Sequence, residues 1–200
     1  MVAIRPLAMV VLELLHESPM HPYEIQQKIH ERQLGRLTKV TVGSLYHAVE
    51  KLQKDGLIEV VDTSREGKRP ERTTYRLTSS GVESFRCEVL ANAAEVAVEF
   101  PRFAMAVQHL HTVRPGEAVA ELRLRAKALR EGLGVADVTI AELTARNLEP
   151  MFWIDHQYTR AMRQAELDWV ERLVDRLSTG ELVWPEAARR RVEELEEDRR

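Results

Sequence analysis

"TVGSLYHAVEKLQKDGLIEV", Thr41 to Val60, carries the two signals that decide the fold: a capped amphipathic helix and, directly behind it, the start of a strand. Thr41 can cap a helix, and Val40 and Leu45 have the spacing of a hydrophobic staple. Leu45, Ala48, Val49 and Leu52 form one apolar stripe, and Gly56 ends the helix after "QKD". Ser44, His47, Lys51 and Lys54 then fall on the opposite face. "LIEVV" and the later "TTYRL" are short and rich in β-branched residues, so they predict a β-hairpin. Its connection, "DTSREGKRPER", carries Arg65, Lys68, Arg69 and Arg72.

Upstream, Pro6 suits a first helical turn, and Leu7, Val10, Val11, Leu14 and Leu15 recur at helical steps, which predicts a mostly buried helix over 6–17. "SPMHP" stops it. In "MHPYEI" Pro22 fits the first helical position, Glu24 meets orphan N–H groups, and Met20 and Ile25 are placed to staple. A second helix is expected from about Pro22 to Leu34, with Gly35 as its stop.

Downstream, Thr78 can cap a helix along which Val82, Phe85, Val89, Ala93, Val96 and Phe100 step by three or four residues. A seam of that length calls for a partner helix. Pro101 breaks or bends it, "FAMAVQHLH" continues helically, and further helices are expected at about 117–131, 137–148 and 152–178. The stretch 185–200 has few apolar side chains to bury and reads as a solvated helix.

The net charge of −3 is unevenly spread. Residues 1–80 hold 12 Lys/Arg against 10 Asp/Glu, and residues 81–200 hold 17 against 22, so the parts carry +2 and −5. A polyanionic partner belongs with the first part, where the cations also cluster. The single cysteine, Cys87, excludes an intrachain disulfide framework and a cysteine-rich zinc site, and points to a cytoplasmic location. Its expected role is helix packing. The apolar N-terminus is interrupted by Arg5, Pro6 and Glu13, short of the roughly 20 residues a membrane span needs. His109 and His111 would point to different helix faces with no converging ligands, so no metal and no cofactor are expected. His16, His21 and His30 read as surface or interface residues. No Gly-rich phosphate loop, nucleophile elbow or catalytic carboxylate pair stands out, and an enzyme is not expected.

Three short helices followed by a hairpin is the order of a winged helix-turn-helix, in which one helix enters the major groove and the hairpin loop meets the neighbouring backbone. The expected fold is mainly α with a small β-hairpin: a winged helix-turn-helix DNA-binding domain over 1–80, linking helices over 81–113, a helical dimerisation domain over 114–180 and a charged tail over 181–200. The expected DNA contacts are Lys39, Thr41, Gly43, Ser44, Tyr46, His47 and Lys51 from the recognition helix and its approach, and Lys68, Arg69 and Arg72 from the wing. Gly43 would let the helix end approach a sugar-phosphate chain closely. Tyr46 can pack with its hydroxyl at the backbone or meet a base. Tyr75 and Leu77 are expected in the core, and Glu50 with Lys54 gives local i, i+4 support.

"PMHPYEI", "GSLYHAVEKLQKDGLIEV" and "RPERTTYRLTSSG" resemble, in order and spacing, the PadR-like transcriptional regulators over about residues 4–85. Gly43, Leu45, Tyr46, Leu52, Gly56, Leu57 and Ile58 fall on that family's recognition-helix pattern, and Arg69, Pro70, Tyr75, Leu77, Thr78 and Gly81 on its wing. Pro22 departs from a usual glycine and His47 from a frequent proline. Beyond residue 85, "FAMAVQHLHTVRPGEAVAELRLRAKALRE" and "AELDWVERL" look like the C-terminal dimerisation helices of the longer members. The resemblance implies that some relatives respond to planar aromatic compounds. Phe152, Trp153, Tyr158 and Trp169 can accordingly be dimer or domain core, or an effector pocket. The expectation is a homodimeric repressor of transcription that reads a palindromic operator on double-stranded DNA and answers a small aromatic effector, with no membrane partner. The rival reading keeps the winged fold as a protein-interaction module.

Overall fold

A computed structural model describes residues 4–36, 38–64 and 72–197. The chain divides into two compact units, Met1–Val98 and Glu99–Arg200.

The first unit opens with helix α1 (Pro6–Glu17), started by Pro6, and α2 (Pro22–Glu31). At the head of α2 the His21 amide donates to Glu24 Oε2 at 2.8 Å, and Tyr23 N donates to His21 Nδ1 at 3.0 Å. Met20 and Ile25 are both buried, as a staple requires. The α2 helix ends three residues before the expected Leu34, and the stop is not Gly35. Gln33 takes a positive φ of 54°, the Arg36 guanidinium satisfies the carbonyls of Arg32 and Gln33, and a 3-10 turn covers Leu34–Arg36.

Helix α3 (Val42–Lys54) follows, and strands β1 (Ile58–Ser64) and β2 (Arg72–Leu77) pair antiparallel with Ile58 opposite Leu77 and Ser64 opposite Arg72. A bulge lies between Val60 and Asp62. Met20 adds a bridge to β2, exchanging two backbone bonds of 3.0 Å with Tyr75. The core of this unit is almost wholly aliphatic: α1 buries six side chains, which meet Ile25, Ile29, Leu45, Val49, Leu52 and Ile58. Tyr75 and Leu77 pack against it half-buried.

Helix α4 (Ser79–Ala94) is bolted to the end of α3. The Thr78 hydroxyl accepts from Gly81 N at 3.0 Å and donates to the Gly56 carbonyl at 2.7 Å, and Thr78 N donates to Leu57 O at 3.1 Å. The expected seam stops short. Residues 95–100 are not helical, and Val96 and Phe100 are 97% and 86% exposed. "EVAVEF" alternates β-branched residues of low helix propensity, and without a partner helix on its apolar positions the spacing alone does not hold a helix.

In the second unit, α5 (Arg102–Gln108) leads through a 3-10 turn at Leu110–Thr112 to α6 (Pro115–Ala145), and α7 (Ile154–Thr179) returns alongside it. The expected break near 131–137 does not occur, although Gly132 and Gly134 each cost helix stability by about 1 kcal/mol. Packing outweighs them: Leu133 is buried, Arg163 of α7 donates to the Gly132 carbonyl at 3.3 Å, and Arg160 pairs with Asp137. Leu122, Ala126, Leu133, Leu167 and Val170 form the core between α6 and α7. Helix α8 (Glu186–Glu197) ends the described chain, and its described side chains are half-buried or exposed. Among the described residues no helix is long and apolar enough to cross a membrane.

Candidate nucleic-acid interface

Helix α3 is clamped at both ends by its own sequence. At its start Ser44 N donates to Thr41 Oγ1 at 3.1 Å, and Thr41 N donates to Ser44 Oγ at 2.9 Å, a reciprocal cap. At its end Gly56, with φ 73°, allows Leu57 N to reach Leu52 O at 2.9 Å and Gly56 N to reach Gln53 O at 3.0 Å. That paired arrangement closes the helix and turns Leu57 back toward the core. Leu45, Val49 and Leu52 are 3% exposed or less and fix which face looks outward.

Gly43, Tyr46, His47, Glu50, Lys51 and Lys54 stand exposed on the outward side, with Lys39 exposed in the approach. A Cβ on Gly43 would meet nothing within 4 Å, so no packing in the protein calls for a glycine there. Thr41 and Ser44 are placed at the helix start, but their hydroxyls are engaged with each other and with the Thr41 carbonyl. Tyr46 is 42% exposed, with its ring outside the core. Lys51 Nζ lies 3.0 Å from Asp55 Oδ2, which neutralises a carboxylate at a helix C-terminus, where negative charge is disfavoured. The ion pair on this turn is therefore Lys51 with Asp55, whereas the spacing of Glu50 and Lys54 had drawn attention to those two. Burial, and secondly the Glu50 charge, raise the Tyr75 hydroxyl above its usual range.

Several other cations of this unit are held in ion pairs. Glu17 accepts from Lys28 at 3.3 Å and from Arg32, one contact at 2.9 Å, and the Arg32 hydrogen bond holds the Glu17 carboxyl below its usual range. Arg76 crosses the hairpin to Glu59 at 2.8 Å. Among the described residues, Lys39, His47 and Lys54 have no ion-pair partner. Lys68 and Arg69 lie outside the described residues. Arg72 pairs through its backbone at the end of β2, and its side chain lies outside the description.

In the second unit the four aromatic candidates do not form one cluster. Trp153 is buried, its Nε1 donating to Leu148 O at 3.1 Å, a role in closing the α6–α7 connection. Phe152 and Tyr158 are 83% and 67% exposed. Trp169 meets Phe103 edge-on with ring centroids 5.9 Å apart, and the Arg125 guanidinium sits 3.7 Å from the Phe103 centroid while pairing with Glu166. These four side chains help line an open groove of about 690 Å³. Phe103, Arg125 and Glu166 escaped the sequence reading. Their helical spacings look ordinary, and only the return of α7 beside α6 brings them together.

Cys87 is half-buried on α4 and its Sγ donates to Glu83 Oε1 at 3.3 Å. That bond raises the thiol pKa and disfavours the thiolate. No group of metal ligands occurs among the described residues, and His109 and His111 fall in the turn between α5 and α6.

Residues 11–86, which hold α1 to the first turns of α4, match the model of the transcriptional regulator PadR-like family. This stretch of the chain is a PadR-like domain. The PadR-like likeness extends to solved structures over most of the length. Bacillus subtilis PadR in complex with operator DNA is 17% identical with a TM-score of 0.71, covering 86% of this chain and 99% of that one. Bacillus subtilis PadR in complex with p-coumaric acid is 16% identical with a TM-score of 0.72, covering 87% and 99%. A PadR-like transcriptional regulator from Bacillus cereus is 18% identical with a TM-score of 0.59, covering 85% and 94%. At these identities the likeness to the three structures is one of fold. A comparison with curated proteins finds no matching sequence. The chain thus joins a PadR-like winged-helix head to a helical C-terminal part.

Proposed function

We propose that this regulator is a homodimeric repressor that reads a palindromic operator and releases it on binding a small aromatic effector. The observation that carries the reading is α3: a helix pinned at both ends and along its buried stripe, presenting Gly43, His47 and Lys51 outward beside Lys39. Residues 1–80 serve as the DNA head, with Lys39, Thr41, Gly43, Ser44, Tyr46, His47 and Lys51 at the groove and Lys68, Arg69 and Arg72 at the flanking phosphates. Because their hydroxyls and backbone N–H groups all form the cap, Thr41 and Ser44 act through the position they give the helix more than as direct donors. Residues 81–113 link the head to a dimerisation part, 114–180, and 181–200 form a charged tail. Exposed Leu124, Val135 and Val138 on α6 and Met162 on α7 support pairing with a second copy.

The Bacillus subtilis relatives solved with operator DNA and with p-coumaric acid support both the DNA and the effector readings. For the effector, Trp169 keeps its place through the groove it shares with Phe103 and Arg125, where a ring could stack beside a cation. Phe152 and Tyr158 serve there only if a second copy covers them. Trp153 acts as structure.

The test is selection of bound duplexes from a random pool, followed by salt titration of the selected site. A two-fold symmetric motif is expected, and a slope of log K on log salt of roughly −5 to −7 for a dimer making three or four phosphate contacts per protomer. Arg69→Ala with Arg72→Ala should weaken binding strongly and flatten that slope. Unchanged binding by the double variant refutes the mechanism, and absence of any enriched sequence points to a protein-interaction module.

A further inference from the structure

A cavity of about 270 Å³ lies inside the winged-helix unit, between the start of α1, the approach to α3 and the flank of α3 itself. Its body is aliphatic, made by Ile4, Leu7, Ala8, Ala48, Leu52 and Leu57. Its polar margin is basic: Arg5, Lys39, His47 and Lys51 all border it. The one carboxylate among the lining residues, Asp55, is held by Lys51 at 3.0 Å and presents little free negative charge. No aromatic side chain other than the His47 imidazole lines it, so the cavity is suited to an alkyl chain more than to stacked rings.

We propose that this cavity is a ligand site for a small aliphatic carboxylate, its chain among the α1 and α3 side chains and its head group at Lys39, His47 and Lys51. The charge pattern argues for an anion, because with Lys51 and Asp55 offsetting each other Arg5 and Lys39 leave the margin net positive against an amine head. The site is distinct from the Phe103–Trp169 groove, which lies wholly in the other unit. Its consequence rests on the DNA reading above. The head group would occupy the same His47 and Lys51 that face phosphate, so ligand and operator compete directly, with no motion transmitted from the C-terminal unit.

Octanoate is the probe, titrated calorimetrically into the full chain without DNA, with 1-octanol as the uncharged control. A ligand of about ten non-hydrogen atoms should bind with a Kd of roughly 0.1–1 mM. Ala48→Phe, which fills the cavity, should weaken octanoate roughly tenfold or more, and Lys51→Ala should weaken octanoate but not 1-octanol. If Ala48→Phe does not fold, Ala8→Leu fills the same space from the opposite wall. No saturable octanoate binding up to about 10 mM overturns the proposal, as does a folded filled variant that binds octanoate like the parent. A chain that binds its selected duplex but not octanoate removes the cavity site and leaves the DNA reading intact. Saturable, filling-sensitive octanoate binding by a chain that selects no duplex keeps the cavity site and removes the DNA reading. Octanoate that binds without weakening duplex affinity overturns the competition.

Discussion

Gly81→Ala should cost the winged-helix unit about 2–4 kcal/mol, against a propensity scale that favours alanine in helices by about 1 kcal/mol. Gly81 is buried in the first turn of α4, and a Cβ there would lie 2.0 Å from the Leu57 carbonyl oxygen and 2.9 Å from its carbon. An ordinary C···O contact is about 3.3–3.6 Å, so one backbone must retreat by more than about 1 Å. The obstructing oxygen accepts from Thr78 N at 3.1 Å, and the retreat breaks that bond. Leaving the amide unpaired costs about 1–3 kcal/mol and the strain about another 2, from which the helix gain of about 1 is subtracted. The result is a loss of roughly 30- to 700-fold in the folding equilibrium. Urea unfolding should be followed by far-UV circular dichroism and by tyrosine, because three of the four tyrosines and none of the three tryptophans lie in Met1–Val98. Tryptophan then reports separately on Glu99–Arg200. A Gly81→Ala chain within about 0.5 kcal/mol of the parent would show that the approach of α4 to Leu57 is not what requires glycine.

Gly43→Ala should behave oppositely: with nothing within 4 Å of the added Cβ, unfolding stays unchanged or gains up to about 1 kcal/mol, while affinity for the selected duplex falls. Unaltered affinity in a filter or anisotropy titration refutes the close-approach role. Glu17→Gln should destabilise by about 0.5 kcal/mol at neutral pH, at the low end because both partners are more than a third exposed. The Glu17 carboxyl is held below 4.5 in the folded chain, so its contribution is complete above that value and vanishes as the pH falls through the lowered one. Parent and variant should therefore differ in urea unfolding at pH 7 and draw together as the pH is taken progressively below 4.5; a difference that stays constant into acid refutes the assignment.

What the sequence made legible was whatever is enforced within one turn of the residue concerned. Thr41, Gly56 and Thr78 act on neighbours three or four positions away, and the ends they define stand where their spacing placed them. Glycines showed the limit. Gly35 read as a stop but has no such role, because Gln33 had already left the helix, whereas the gap expected between 131 and 137, where Gly132 and Gly134 stand, lies inside a 31-residue helix. In both places the deciding partner is either a guanidinium that satisfies freed carbonyls or a second helix that buries Leu133. The candidate contacts divide in the same way. Their exposure on α3 follows from the apolar stripe, but nothing in the spacing announces that the Thr41 and Ser44 hydroxyls are used up in the cap, or that Lys51 leans to Asp55.

The charge puzzle of a net-negative DNA-binding chain resolves through pairing more than through totals. In the second unit acidic side chains are drawn into cross-helix pairs: Glu166 with Arg125, Glu171 with Arg130 and Asp137 with Arg160. In the first unit Lys28, Arg32 and Arg76 hold α1, α2 and the hairpin together and have little field left for a distant partner. Among the described residues Arg5, Lys39 and Lys54 are cations without an ion-pair partner, and the last two lie just ahead of α3 and on it. Among the described residues, a polyanion approaching this unit therefore finds unpaired positive charge at the start of α1 and at α3, a helix whose cap, stripe and stop leave it no freedom to turn. Rigid presentation also means that an anion seated at Lys39 would remove charge from the face proposed to meet DNA.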